Sequence, residues 1–383
     1  MQQALRPYAS AGVAVVTAGL IAATPMVPRI PDIQLPDVQT RDVALTSGDA
    51  DLAAPWIDQF NIASENATTL LNTFYEAPYI GLQQAIANES GFLQGFFENP
   101  TSSTVTDVMG QMQDNLTAVL TGYDLQNATG YGGIVGTTTG TVLLHTLDGS
   151  HSLMFGEIPG YLPAGDAALI TPIINFLGSP ESGILMGDIG PFVSPLVALI
   201  NSIGAGDDLN TTLADMYGAF FNGATLSLNG LLPTINDLIG SEFPPGMVLG
   251  NLDIGFGGLL SPGSVGDYAP TNPEGFQGVG GSIFNSVGLY FSGVPKLGVL
   301  NLVSQPVGPI GALEGWAQTI ASLLGWDGTG SPLSDVTLPV IPTDFLDGST
   351  IPAAAAADIV DPGAAGSVAA DLSTLWQDLV AAF

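Results

Sequence analysis

The chain contains no cysteine, which removes disulfides, thiolate metal sites and thiol catalysis together. Positive charge is almost as scarce. Against 35 acidic residues stand only Arg6, Arg29, Arg41 and Lys296, for a formal net charge of −31, and Lys296 is the one base beyond residue 41. Nucleic-acid binding needs Lys and Arg to neutralise phosphates, and attraction to anionic lipid headgroups needs the same side chains, so both are excluded as partners. After residue 23 no run of 18 unbroken apolar residues occurs, which argues against a polytopic helical membrane protein. No Gly-Lys-Ser or Gly-Lys-Thr phosphate loop is present. Gly130-Tyr131-Gly132-Gly133 and Gly278-Val279-Gly280-Gly281 lack the third glycine of a dinucleotide fingerprint. They read as turns, and no nucleotide or other cofactor is expected.

What remains is a chain of 383 residues with 50 Gly, 28 Pro, 10% charged residues and a positive mean hydropathy of +0.40. The Gly and Pro content implies many turns, the apolar content is ample for a core, and the hydropathy sets it apart from an acidic disordered tail.

Helical periodicity is clearest over Asn210 to Gly240. Leu213, Met216, Tyr217, Phe220 and Phe221 fall at i, i+3, i+4, i+7 and i+8, which predicts a helix with a wide apolar stripe facing a core. Asn210 or Asp208 suits its N-cap, and Asn222-Gly223 its end. Thr225 to Leu228 alternates like a strand, and Leu231, Leu232, Ile235, Leu238 and Ile239 return to helical spacing. From Pro55 on, Trp56, Phe60, Ala63, Ala67, Leu70, Leu71 and Phe74 mark a second apolar helical face, ended by Pro78. Thr68-Thr69-Leu70 with Phe74-Tyr75 echoes Thr211-Thr212-Leu213 with Tyr217; similar helix-turn chemistry arising independently is the expected source, and an ancient repeat is the alternative. Helices are also predicted over Thr104 to Leu120, Thr139 to Leu147, Asp166 to Leu177, Pro191 to Ile203 and Pro309 to Leu324. Between Met247 and Pro306 the texture changes to short alternating segments, Asn251 to Phe256, Ser286 to Phe291 and Val299 to Val303. These supply a small antiparallel sheet and fall far short of the eight or so spanning strands of a single-chain barrel. The expected fold is therefore mainly α, a helical domain with one small antiparallel β element near 225–305 and extended Pro-rich ends.

Arg6, the apolar run Tyr8 to Ala23 and the following Thr24-Pro25 have the layout of a secretory signal peptide; an uncleaved anchor is the alternative. The expected organisation is a signal peptide at 1–23, a Pro-rich linker at 24–51, a mainly helical domain at 52–330, a Pro/Ala/Asp-rich loose segment at 331–367 and a short amphipathic helix at 368–383. The mature protein is expected to be exported, to the cell envelope or beyond it.

Sites that could carry chemistry are few. The two histidines lie in His145-Thr146-Leu147-Asp148-Gly149-Ser150-His151-Ser152, so Ser, His and Asp occur together. A hydrolase triad is defined by geometry, and no Gly-x-Ser-x-Gly elbow exists to present a nucleophile. The six-residue spacing of His145 and His151 does not match a helical zinc pair. An exposed turn is the expected role of this segment. Asp207-Asp208, and Asp344 with Asp347, are the nearest approach to a calcium loop and lack its alternating pattern, so a solvated acidic surface is expected. The Asn-x-Ser/Thr triplets at Asn66, Asn88, Asn115, Asn127 and Asn210 would accept glycans only in a eukaryotic secretory pathway. No catalytic, cofactor-binding or metal residue is assigned, and an enzyme is not expected.

Several longer segments carry a resemblance: LRPYASAGVAVVTAG at the N-terminus, VQTRDVALT at Val38 to Thr46, APWIDQFNIASENATTLLN at Ala54 to Asn72, GEIPGYLPA at Gly156 to Ala164, NTTLADMYGAFFNGATL at Asn210 to Leu226, and SQPVGPIGALEGWAQTI with LLGWDGTGSPL over 304–333. In these the chain resembles the mycobacterial outer membrane porin GjpA family of exported, Gly- and Ala-rich envelope proteins. The resemblance implies a channel in an outer membrane, and with so few strands the pore would be oligomeric or unconventional. Acidic lining would make it cation-selective for small hydrophilic solutes. The alternative is a non-catalytic secreted or cell-surface structural or interaction protein. An exposed apolar band would favour the first reading, and a compact polar surface the second.

Overall fold

The computed structural model describes residues 50–99, 101–121, 151, 154–155, 164–240, 243–267, 275–295, 297–334 and 336. The expected signal peptide, the linker up to residue 49, the helix at 139–147, the loose segment beyond 336 and the C-terminal helix lie outside them, and the last two residues of the expected linker, Ala50 and Asp51, begin a helix. The described chain forms two units.

One unit holds residues 84–117 and the few described residues from 333 on. Its substance is two helices, α2 (Ile80–Glu98), which enters it at Gln84, and α3 (Ser102–Thr121). Thr101 starts α3: its hydroxyl accepts from the Thr104 N–H at 3.2 Å, satisfying a first-turn donor.

The other unit, described residues of 42–83 and 118–332, is mainly α with a small antiparallel sheet. Helix α1 (Ala50–Glu76) ends before Pro78, as the sequence predicts, and Tyr79 takes a left-handed φ of 57° to turn the chain. Then come α4 (Ala164–Gly178), α5 (Pro180–Ala205) and α6 (Leu209–Asn222). The sequence places the start of α5 at Pro191; it begins instead behind Ser179, whose side chain accepts from Ser182 N–H, with Pro180 in the first turn, where proline lacks only a donor the helix does not use. Pro191 and Pro195 lie inside it. Gly206, at φ 78°, ends it, and its N–H bonds to Ser202 O at 2.9 Å. Asp208 caps α6 by accepting from Thr211 N–H at 2.9 Å.

Strand β1 (Ala224–Ser227) follows, then α7 (Leu232–Ile239), β2 (Val248–Phe256), β3 (Gly266–Asp267), β4 (Gln277–Gly278), β5 (Val287–Val294), β6 (Gly298–Leu302) and α8 (Pro309–Leu323). Four strands form an antiparallel sheet in the order β1-β2-β5-β6, and β3 pairs with β4. Leu226 stands opposite Ile254, and Leu289 opposite both Leu252 and Leu302, so alternate apolar side chains share one face. That face carries a core cluster of Phe155, Leu249, Leu289, Phe291 and Leu302, in which Phe155 stacks on Phe284 at 4.0 Å between ring centroids. A second cluster joins Ala77 and Ile80 to Phe276, Ala321 and Trp326 of the α8 end.

Two expected core faces are corrected here. On α6 the buried residues are Ala214, Gly218 and Ala219, while Leu213 and Tyr217 of the predicted core stripe are exposed, Tyr217 to 60%. On α1 Leu70 is buried, but Trp56, Phe60 and Leu71 face outward. Met216, Phe220 and Phe221 of the α6 stripe and Ala63, Ala67 and Phe74 of the α1 face are half-buried, so each predicted face turns only partly inward, and small residues make the closest approaches.

Candidate functional site: an outward apolar face on helices α4, α5 and α6

Helix α5 carries this inversion furthest. Its buried residues include Ser182, Gly183, Gly187, Gly190, Ser194, Ala198 and Ser202. The fit is backbone to backbone. A Cβ on Gly183 would overlap the carbonyl oxygen of Gly281, one on Gly190 the carbonyl oxygen of Gly257, and one on Gly187 would stand 2.9 Å from the Gly308 carbonyl. Three loops thus lie directly on the helix, and only glycine leaves room for them.

The serines between these glycines satisfy backbone groups that such close packing would strand. Ser182 Oγ donates to Leu177 O at 2.9 Å and accepts from Ile283 N–H at 3.0 Å, tying the end of α4 to the loop before β5. Ser194 Oγ donates to Ala219 O of α6 at 2.7 Å, and Ser202 Oγ to Asp215 Oδ2 at 3.3 Å. The next helix joins in the same manner. Gln59 of α1 donates from Nε2 to Asp215 Oδ1 at 3.0 Å, Asn222 Nδ2 donates to Gln59 O at 2.9 Å, and Trp56 Nε1 donates to Asn210 Oδ1 at 3.0 Å. Helices held by small residues and interhelical polar bonds, with bulky apolar side chains outside, follow the packing of helices in lipid.

The outer face of α5 is formed by Leu185, Ile189, Phe192, Leu196, Ile200 and Ile203, all exposed, Phe192 to 75%. Leu169, Ile173 and Phe176 of α4 and Leu209, Leu213 and Tyr217 of α6 are exposed as well. Covering the half or so of such a side chain that water still reaches is worth on the order of 1 kcal/mol apiece. At 26 residues, α5 is the one helix among the described residues that is long and apolar enough, by length and composition, to cross a membrane. Its length is about 39 Å at the usual helical rise, against roughly 30 Å of bilayer hydrocarbon.

The residues considered for chemistry are placed differently. His151 is not on an exposed turn: it is fully buried, donates from Nε2 to Val287 O at 2.7 Å and stacks on Phe155. It acts as a core side chain that satisfies a strand carbonyl. His145, Asp148, Ser150 and Ser152 lie outside the described residues, as do Asp344, Asp347 and the glycines of 130–133. Asp208 is the α6 cap. Among the described residues no group of three His, Asp or Glu side chains could hold a metal ion. Gly278 closes the β3–β4 pair, and Gly280 and Gly281 press against α8 and α5, so these glycines serve close packing. One titratable group stands apart: burial raises the Glu314 carboxyl on α8 to about 7, and its Oε2 has no hydrogen-bond partner among the described residues.

Sequence reasoning missed the outward face because it weighed only large apolar residues. The available signal was the small-residue row Gly183, Gly187, Gly190 and Ser194, which recurs at helical spacing opposite the large ones. Compared with protein-family models, curated proteins and solved structures, the chain has no match.

Proposed function

We propose that this is an exported, non-enzymatic cell-envelope protein that works in contact with a membrane, where several copies form a cation-selective channel for small hydrophilic solutes. The observation that carries the reading is the outward row of Leu, Ile and Phe on α5, set against an inner face in which Gly and Ser stand beside Met186, Pro191 and Val197. An exposed apolar band is what a membrane protein needs and what a protein surrounded by water avoids. The sequence resemblance to an outer membrane porin family supports the channel, and the largest sheet among the described residues has four strands.

Planar bilayers test the reading. Purified protein should give discrete conductance steps that heat-inactivated protein does not, and a complete lack of steps would transfer the assignment to a non-catalytic envelope interaction protein.

A further inference from the structure

The outer face of α5 combines two properties rarely joined in so acidic a chain. Its apolar row Leu185, Ile189, Phe192, Leu196, Ile200 and Ile203 is interrupted by exposed Asp188 near its start, but from Ile189 to Ala205 the helix carries no Asp, Glu, Lys or Arg, although the chain holds 35 carboxylates. Glu181 and Asp188 stand before this segment, and Asp207 and Asp208 just after it. We propose that this face is seated among the acyl chains of a membrane whose headgroups carry no net charge. The proposal rests on the envelope reading above and names the chemistry that covers its exposed surface.

Three observations select acyl chains over a second copy of the chain. First, the residues that draw two helices together in lipid, the small ones, are already engaged inward by Gly183, Gly187, Gly190 and Ser194. Second, exposed apolar side chains are not confined to one helix. Leu169, Ile173 and Phe176 lie on α4, and Leu209, Leu213 and Tyr217 on α6; hydrocarbon covers such side chains on each helix without a complementary partner surface. Third, α5 holds Pro191 and Pro195 in its interior, which membrane helices accommodate more readily than soluble ones. The charge-free segment of α5 is about 25 Å long at 1.5 Å per residue, close to the thickness of a hydrocarbon layer. The headgroup class follows from charge: with a net −31 and one base beyond residue 41, the protein is repelled by an anionic surface.

Because the chain has no cysteine, Ile200→Cys in the full chain provides a unique thiol for a polarity-sensitive dye, and Asp58→Cys, on an exposed polar position of α1, provides the control. With phosphatidylcholine vesicles, the dye at 200 should shift to the blue and be quenched several-fold by lipids bearing a nitroxide on the acyl chain, while the dye at 58 keeps its aqueous emission. In the unlabelled chain, Phe192→Asp with Ile200→Asp should lower partition into the same vesicles by about a hundredfold or more, given the cost of a carboxylate in hydrocarbon. A dye at 200 that stays water-like on vesicle-bound protein overturns the proposal. So does a blue shift in water alone that accompanies a dimer in sedimentation, since a second copy then covers the face. Immersion of the dye without conductance leaves this inference standing and removes the channel. Conductance without immersion does the reverse.

Discussion

Glu314 is a carboxyl group in the wrong surroundings. It lies on α8, its Oε2 is buried without a partner among the described residues, and loss of solvent raises its pKa from 4.5 to about 7. Burial penalises the charged form, so the folded protein holds this proton more tightly than the unfolded chain does. Below about pH 4.5 both states are protonated and the favourable contribution is intact. As pH rises from there through about 7, the unfolded chain releases the proton first, and folding stability falls by linkage. Burial raises Glu76 and Glu89 as well, so they add to the trend with the same sign. Glu314→Gln keeps the shape and removes the charge, so its melting temperature should exceed that of the wild type at pH 8 and match it near pH 4. An equal difference at both pH values, measured by circular dichroism melts, would rule out the buried charge as the cause.

Helix α5 allows two glycines in one element to be compared. Gly190 faces the Gly257 backbone with no room for a Cβ, whereas a Cβ on Gly204 meets nothing within 4 Å. Gly190→Ala must push a loop off the helix, and overpacking of this kind costs about 1–3 kcal/mol or more. Gly204→Ala should be neutral or stabilise by up to about 1 kcal/mol, the propensity difference between the two residues. Urea midpoints for the two variants should therefore move in opposite directions, or only the first should move; equal losses would mean that backbone contact does not hold α5.

Several of these elements were legible in the sequence, while helix Ile80–Glu98, the β3–β4 pair and the first eleven residues of α5 were not. Asp208 and Gly223 bound α6 as capping chemistry requires, Pro78 lies just past the end of α1, and the alternation at Asn251 to Phe256 falls within β2. Periodicity also separated the large residues of α6 from the small ones. It could not say which side was interior, because a 3.6-residue period is the same whether the stripe faces a core, a partner or lipid. Nor could it join Ser182 to Ile283 N–H, or Gly183 to Gly281, since those contacts depend on how distant loops return to the helix.

The charge of the entire chain dictates how a conducting assembly would behave. With 35 acidic residues and four bases, any water-filled path lined by this protein concentrates cations and excludes anions. The reversal potential in a potassium chloride gradient should lie on the cation side. Selectivity should weaken as pH falls through about 4, where carboxylates protonate, and as salt rises and screens them. An anion-side potential would refute a lumen lined by Asp and Glu.

The glycine and serine interior of α5 also bears on calorimetry. Heat capacity rises when apolar groups meet water and falls when polar groups do. On unfolding in water, a fold that joins its helices through peptide backbone and hydroxyls, and already displays Leu, Ile and Phe, hydrates much polar surface and comparatively little new apolar surface. Its heat-capacity increment per residue should therefore lie below the usual 12–15 cal/mol/K, giving a broad, shallow stability curve. Scanning calorimetry of the detergent-free protein measures that increment directly, and a value inside the usual range would mean that the outward face is already covered before unfolding begins.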